Sequence, residues 1–286
     1  MSLDQFKLVK LRKQDLEVLV SWAKGEGWNP GKHDFEVFWQ TDPNGFYGFF
    51  IDDQLIAGGA LVSYQAQYGF MGLFIVHPDY RGKGIGRKLW YLRRNLLQSR
   101  LTPNATIGMD GVLQMQAFYE EGGFKKVYSD KRFERYGENF SIHRNISEIS
   151  QQDIDELRAY DTQCFGFNRE IFFNQWLTLP LSHQFKFTQN KEIQGFAVIR
   201  EVDQGFKIGP LFADNYEIAR ELYMACLNQA QGQPVYLDVP TINQDAVKLV
   251  TEFDAECMFE CARMYFNGVP NIPIHKVFGM TTLELG

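Results

Sequence analysis

The sequence predicts a mixed α/β fold made twice: two tandem domains, each a mixed, mostly antiparallel sheet flanked by helices. Length, composition and self-similarity carry that expectation. The 286 residues suit one large domain or two ordinary ones, and 45 % hydrophobic with 15 % aromatic content is ample for packed cores. The chain also repeats its own plan. "FKLVKLRKQDLEVLV" (6–20) is matched by "SIHRNISEISQQDIDEL" (141–157), with Asp15 answered by Asp153. "LIAGGALVSY" (55–64) is echoed by "EIQGFAVIRE" (192–201), and "GFMGLFIV" (69–76) by "GFKIGPLF" (205–212). The offsets of 138, 137 and 136 residues are far longer than a solenoid repeat and indicate duplicated domains. A boundary near 138–143 divides the chain into 1–140 and 141–286. No Pro- or Ser-rich linker marks it, so the halves are expected to pack together.

The elements follow in order. Residues 6–20 read as a short strand and an amphipathic helix. "GFYGFFIDDQLIAGGALVSY" (45–64) reads as a hairpin turning at "DDQ". "QYGFMGLFIV" (67–76) is mostly apolar, as expected of one strand covered on both faces. "IGRKLWYLRRNLL" (85–97) places Ile85, Leu89, Leu92 and Leu96 along one helical stripe. "ATIGMDG" (105–111) reads as a buried strand. "GVLQMQAFYEEGG" (111–123) reads as a short helix closed by Gly122 and Gly123.

Charge narrows the partners. The net charge of −6 argues against a general nucleic-acid binder. Residues 1–140 hold 18 Lys and Arg against 16 Asp and Glu, and the remainder holds 11 against 19. A mildly basic half beside an acidic one fits a small anionic ligand in the first. No apolar run approaches the ~18 residues of a membrane span, and no signal-peptide core is evident. A cytoplasmic protein without a membrane partner is expected. Cys164, Cys226, Cys257 and Cys261 lack a second pair or His cluster that would complete a zinc site. No metal is expected, and the four read as buried free thiols.

"VHPDYRGKGIGRKLW" (76–90) sets three glycines at alternate positions between a strand and a helix. The N–H groups opening a helix have no intrahelical partner and lie at the positive end of its dipole. Glycines let a backbone approach an anion closely, and Arg81 and Lys83 add charge, so the stretch describes a pyrophosphate cradle. It does not satisfy G-x-x-x-x-G-K-[ST], and its G-x-G-x-G spacing departs from the dinucleotide-binding G-x-G-x-x-G.

Val76, Pro78, Arg81, Gly84 and Gly86 fill V-x-P followed by [QR]-x-x-G-x-[GA]. This resembles motif A of the GNAT N-acetyltransferases, which hold the pyrophosphate of acetyl-CoA. "AFYEEGGF" (117–124) is similar to that family's later Y-x-x-x-G-F. The family's usual Asn seven residues before the tyrosine is Val112 here. "EGWNPG" (26–31) and "VFGMTTLELG" (277–286) further resemble a tandem-domain branch. The resemblance is strong over 1–140 and looser beyond. It implies acetyl-CoA as cosubstrate and direct attack on the thioester by an amine of a small molecule or amino-acid-like substrate, with no covalent enzyme intermediate. The strand 70–76 would carry the pantetheine amides at Phe74, Ile75 and Val76, with the Phe74 N–H near the thioester oxygen. Arg81, Gly82, Lys83, Gly84, Ile85 and Gly86 would hold the pyrophosphate, and Tyr119 would protonate the departing thiolate.

The second half departs from this pattern. Its "LFADNYEIAR" (211–220) has no glycine and sets Asp214 and Glu217 where phosphates would lie. It keeps Asn243 and Ala246 of the family's N-x-x-A, but the tyrosine slot falls on Val250. A retired second copy without a working CoA site is expected. Glu26, His33, His77 and Asp110 are candidate bases by position. Trp22, Trp28 and Trp39 either line a substrate cleft or pack the core. A non-catalytic acyl-CoA-binding regulator and a binder of another diphosphate are the alternative functions. The oligomeric state is left open.

Overall fold

Residues 3–286 are described by the structure, a computed structural model. The first half runs β1 (Val9–Lys10), α1 (Lys13–Gly25), α2 (Asp34–Thr41), β2 (Phe46–Ile51), β3 (Gln54–Ala60), β4 (Val62–Tyr64), β5 (Tyr68–Phe70), β6 (Ile75–Val76), α3 (Ile85–Arg100), β7 (Thr106–Val112), α4 (Gln116–Glu121) and β8 (Lys125–Tyr136). The second runs β9 (Ile146–Glu148), α5 (Ile154–Phe165), α6 (Glu170–Trp176), β10 (Ser182–Gln189), β11 (Glu192–Glu201), β12 (Phe206–Ala213), α7 (Tyr216–Leu227), β13 (Pro234–Pro240), α8 (Gln244–Glu252), β14 (Glu256–Phe266) and β15 (Val277–Gly279). The order repeats, with β4 merged into β11 and with β5 and β6 merged into β12. Even the local chemistry repeats. Asp15 accepts from the Arg12 N–H at 2.8 Å, and Asp153 from the Ser150 N–H at 2.7 Å, each at the start of the helical segment that follows its half's first strand.

The expected hairpin turn is present, with Asp52 and Asp53 at φ 46° and 63° between paired Ile51 and Gln54. Two expectations change. The buried stripe of α3 runs Ile85, Leu89, Arg93 and Leu97 with Trp90, leaving Leu92 and Leu96 half-buried. A charged residue reads as solvent-facing in a sequence, yet Arg93 donates to the Ala60 and Gly72 carbonyls and lies wholly inside. The single strand expected over 67–76 is also broken. Leu73 takes φ 49°, and only β5 and β6 remain on either side. Of the cysteines, Cys257 is exposed, while Cys164, Cys226 and Cys261 are buried, and all four are free thiols.

A four-stranded sheet has the order β1-β2-β3-β6. A long second sheet runs β4-β5-β7-β14-β8-β13-β12-β11-β10-β9, with β15 alongside β12. The two halves thus exchange strands. β14, from the second half, lies antiparallel between β7 and β8 with Met264 opposite Met109. β8, from the first, pairs with β13 with Phe133 opposite Leu237. Residues 137–145 carry no strand beyond a bridge from Gly137 to Gln231. A division there separates the sequence but not the sheet. One apolar core also joins the halves, packing Leu16 and Phe38 with Phe172 and Trp176. No described helix is long and apolar enough to cross a membrane.

Candidate functional site

β5 and β7 run parallel from Tyr68 opposite Thr106 to Phe70 opposite Gly108. Beyond that point they part. The left-handed turn at Leu73 carries the chain away so that β6 pairs with β3, Ile75 opposite Gly58. Between the diverging strands lies a cavity of about 660 Å³. The N–H groups of Leu73 and Phe74 have no acceptor among the described residues. Arg93 fixes the segment from behind, donating to the Gly72 carbonyl at 2.9 Å and lying 5.4 Å from the Phe74 ring. Burial without a carboxylate partner pushes this guanidinium down to about 9.

The glycine-rich loop closes one end. Gly82 and Gly84 take φ 72° and 78°, which side-chain-bearing residues rarely adopt. Gly84 is the N-cap of α3 and offers no side chain to its opening N–H groups. A Cβ on Gly86 would stand 3.1 Å from Val76 and 3.4 Å from Phe74, so its absence lets α3 begin directly behind β6. The cavity collects Phe74, Ile75, Val76, Arg81, Gly82, Gly84, Gly86 and Tyr119 from the sequence-derived set. Arg81 donates to the Val76 carbonyl at 2.8 Å and pairs with Glu26. Two members of the set stand apart. Lys83 is exposed, donates to the Asp79 carbonyl at 2.7 Å and sits over the Tyr80 ring. The Ile85 side chain is buried beside Phe6 and Phe49, so only its backbone belongs to the loop.

Tyr119 comes from α4, 4 % exposed and tilted against Trp90. Gly111 makes room for it, since a Cβ there would be 2.7 Å from its ring. Burial pushes the phenol up to about 12, with Arg93 opposing, so it holds its proton at neutral pH.

The opposite wall is ionic, and both halves build it. Asp110 of β7 accepts two hydrogen bonds from Arg263 of β14, and Arg263 also stands 3.6 Å from Asp130 of β8. Burial raises both carboxyls, and Arg263 opposes this. Asp130 makes no direct bond to the guanidinium, and burial holds its carboxyl well above the usual carboxylate range. Burial likewise keeps the Cys261 thiol protonated. Nearby, Arg132 binds Asp238 through two nitrogens at 2.7 and 2.9 Å and donates to the Trp28 carbonyl at 2.7 Å. Lys207 adds a contact to Asp238 at 3.3 Å. Burial alone would raise the Asp238 carboxyl, but these two cations hold it well below the usual range.

Among the candidate bases, Glu26 and Asp110 line the cavity, each already paired with an arginine. His77 packs against Trp22 and Tyr80 outside it, and His33 precedes α2, also outside. Trp28 lines the cavity, while Trp39 stacks on Phe46 in the core. Sequence reasoning did not find Arg132, Phe259, Cys261, Leu283 or Glu284, which also line it. Four of these belong to the second half, and no local pattern ties them to a motif 150 or more residues earlier. The "VFGMTTLELG" resemblance was the available signal.

The corresponding wedge of the second half is filled by the chain itself. β15 lies along β12 with Gly279 opposite Leu211, and the Met280 N–H donates to the Asp238 carbonyl of β13 at 2.8 Å. Asn243 donates to the carbonyls of Ile274, His275 and Val277, holding this segment in place. The start of α7 is capped by Asn215, whose oxygen accepts from the Ile218 N–H. Asp214 faces Lys276 and the Tyr160 hydroxyl at 2.9 and 2.7 Å.

Comparison with known proteins agrees with this architecture. Residues 13–124 match the acetyltransferase (GNAT) family, and residues 157–279 match an acetyltransferase (GNAT) domain. A curated relative, the holothin acyltransferase of Pseudoalteromonas sp., is 27 % identical over 295 aligned residues, covering 99 % of both chains. An uncharacterized protein of Caenorhabditis elegans is 30 % identical over 168 residues, covering 52 % of this chain and 51 % of its own. Among solved structures, a Pyrococcus horikoshii protein provisionally assigned as an acetyltransferase superposes with a TM-score of 0.85 at 20 % identity, covering 100 % of this chain and 98 % of its own. A tandem GNAT protein from the clavulanic acid biosynthesis pathway gives 0.64 at 12 % identity, covering 93 % and 99 %. With both halves matched and the fold shared along the whole chain, the protein belongs to the GNAT acyltransferases and carries two GNAT domains in tandem.

Proposed function

We propose that the protein is an N-acetyltransferase that uses acetyl-CoA and passes the acetyl group directly to the amine of a small molecule. The observation that carries this reading is the alignment, along one cavity, of the glycine-rich helix start, the unpartnered N–H groups of Leu73 and Phe74, and the protonated Tyr119. The pyrophosphate would rest on the N–H groups of the 82–86 loop, favoured by the α3 dipole and the Arg81 charge. The pantetheine arm would run along 74–76. The thioester oxygen would meet the Phe74 N–H, a contact worth a few kcal/mol as charge develops there. Collapse of the tetrahedral intermediate breaks the C–S bond, and Tyr119 supplies the proton the thiolate takes up. In this reading the first half binds the cosubstrate, and the second half completes the acceptor side and binds none.

A thermal-shift panel of acetyl-CoA, CoA, ATP and NAD is the first test. A ligand at 100 times its Kd adds about 2.7 kcal/mol of stability. Stabilisation by CoA compounds alone is expected, and stabilisation by ATP or NAD without CoA would overturn the reading. Thiol release with an amine panel then separates an enzyme from a binding protein. The relative from Pseudoalteromonas is named for holothin, so holothin belongs in that panel.

A further inference from the structure

Besides Asp110, whose buried side chain is held by Arg263, seven side-chain carboxylates belong to buried residues among the described part of the chain: Asp15, Asp34, Asp42, Asp130, Asp161, Asp238 and Glu284. Six have an arginine within ion-pair distance, namely Arg12, Arg200, Arg100, Arg263, Arg169 and Arg132 respectively. Glu284 has none. It is 2 % exposed and lines the cavity. Its Oε2 accepts from the Thr282 hydroxyl, while Oε1 has no hydrogen-bond partner. A carboxylate that loses water without gaining a cation is costly, so this position favours a ligand that brings the cation.

The placement is specific. A Cβ on Gly72 would fall 1.8 Å from the Glu284 carbonyl oxygen, so the Glu284 backbone lies directly on the 71–74 segment. That is the segment whose N–H groups stand free at Leu73 and Phe74. The nearby cations do not serve Glu284 as partners. Arg132 of β8 and Lys207 of β12 are close enough to feel its charge, but both bind Asp238 of β13 and the carbonyls of Trp28 and Asn29. The other ionisable groups of the cavity are Glu26, paired with Arg81, Asp110, paired with Arg263, Arg87, paired with Glu121, Tyr80, whose ring lies under the Lys83 ammonium, and the protonated Tyr119 and Cys261. Trp28, Leu283 and Phe259 add apolar surface to the lining of the same cavity.

We infer that Glu284 receives the acceptor as its ammonium form and takes a proton from it, and that the acceptor is a small primary amine carried on an apolar body. This rests on the acetyl-transfer reading above. In the step, R–NH3⁺ gives one proton to the Glu284 carboxylate and becomes R–NH2. The nitrogen lone pair forms the N–C bond, the C–S bond breaks, and the thiolate takes the Tyr119 proton. The second N–H proton, released as the amide forms, restores Tyr119. Glu284 returns its proton to solvent when the amide leaves. The segment 277–286 of the second half therefore supplies the group that prepares the nucleophile in the cavity of the first.

The test uses the full chain with acetyl-CoA and two probe acceptors, benzylamine and tryptamine. Glu284→Gln should bind acetyl-CoA within a few-fold of wild type by calorimetry, which also establishes folding. Its kcat/KM for the amines should fall about 10²-fold at pH 7. The deficit should shrink to a few-fold above the amine's own pKa, where the acceptor arrives already neutral. A deficit unchanged with pH, or none at all, overturns the assignment. Wild-type protein gives a second measurement that needs no variant. Benzyltrimethylammonium should compete with benzylamine and benzyl alcohol should not, and the reverse order overturns it. Failure of the wild type to bind acetyl-CoA or transfer acetyl to any amine would instead sink the parent reading.

Discussion

Arg263 of the second half grips Asp110 of the first through two hydrogen bonds of 2.6 and 2.7 Å, both side chains almost fully buried. The pair sits at the point where β14 enters the first half's sheet, in the register Arg263 opposite Asp110. It ties strand exchange to the cavity, because Asp110 is a wall residue. Arg263→Met leaves the buried Asp110 carboxyl without its cation beside Asp130. A loss of about 3–5 kcal/mol in unfolding free energy is expected by denaturant titration. Adding Asp110→Asn should recover part of it. A full-strength single variant would mean the pair contributes nothing to holding the halves together.

Asp130 sets a pH dependence of definite sign. Its folded-state pKa lies well above the unfolded value of about 3.9, so the stability it contributes is complete below that value. That contribution is lost as pH rises through the folded pKa. Asp130→Asn copies the protonated form and should remove the loss. The melting temperature of the variant minus that of wild type should climb from pH 4.5 to pH 8. A difference that falls over this range would assign the shared proton elsewhere.

Tyr119→Phe keeps the ring against Trp90 and removes only the hydroxyl. Acetyl-CoA affinity should stay within a few-fold, while kcat drops about 10²-fold or more, the usual scale for a lost general acid. Steady-state kinetics with circular dichroism as a folding control decide it. An unchanged kcat in folded protein would make this a core tyrosine.

Gly84→Glu should abolish CoA binding in a protein that still folds. The site has φ 78°, so any side chain costs roughly 1–2 kcal/mol in backbone strain, and the added carboxylate opposes an anion at the start of α3. A melting temperature a few degrees lower with no calorimetric CoA signal is the expected result. Retained affinity would place the cradle elsewhere.

One acetyl-CoA per chain is expected by titration calorimetry. The wedge of the first half is a cavity, whereas β15 and the Asn243 contacts fill the second. Two equivalent sites would require the 277–279 strand to leave β12, and a stoichiometry of two would refute the single-site reading.

The sequence by itself determined the duplicated α/β plan, the hairpin at Asp52–Asp53 and the glycine-rich helix start. Each of these is written in neighbouring residues: periodicity, turn chemistry, and glycines at positions that need positive φ. It also determined where Tyr119 sits along the chain. The tertiary structure alone decided that Leu73 breaks the strand over 67–76, that Arg93 is a core residue, and that β8 and β14 change places between the halves. It alone brought Arg132, Arg263 and Glu284 to the cavity. The reason is physical. A buried charge is tolerable only beside a partner, and partners such as Asp110 and Arg263, 153 residues apart, meet only once the sheet is assembled. A sequence records that a residue can carry charge, and only the fold determines whether that charge is paired, protonated, or left for a substrate to match.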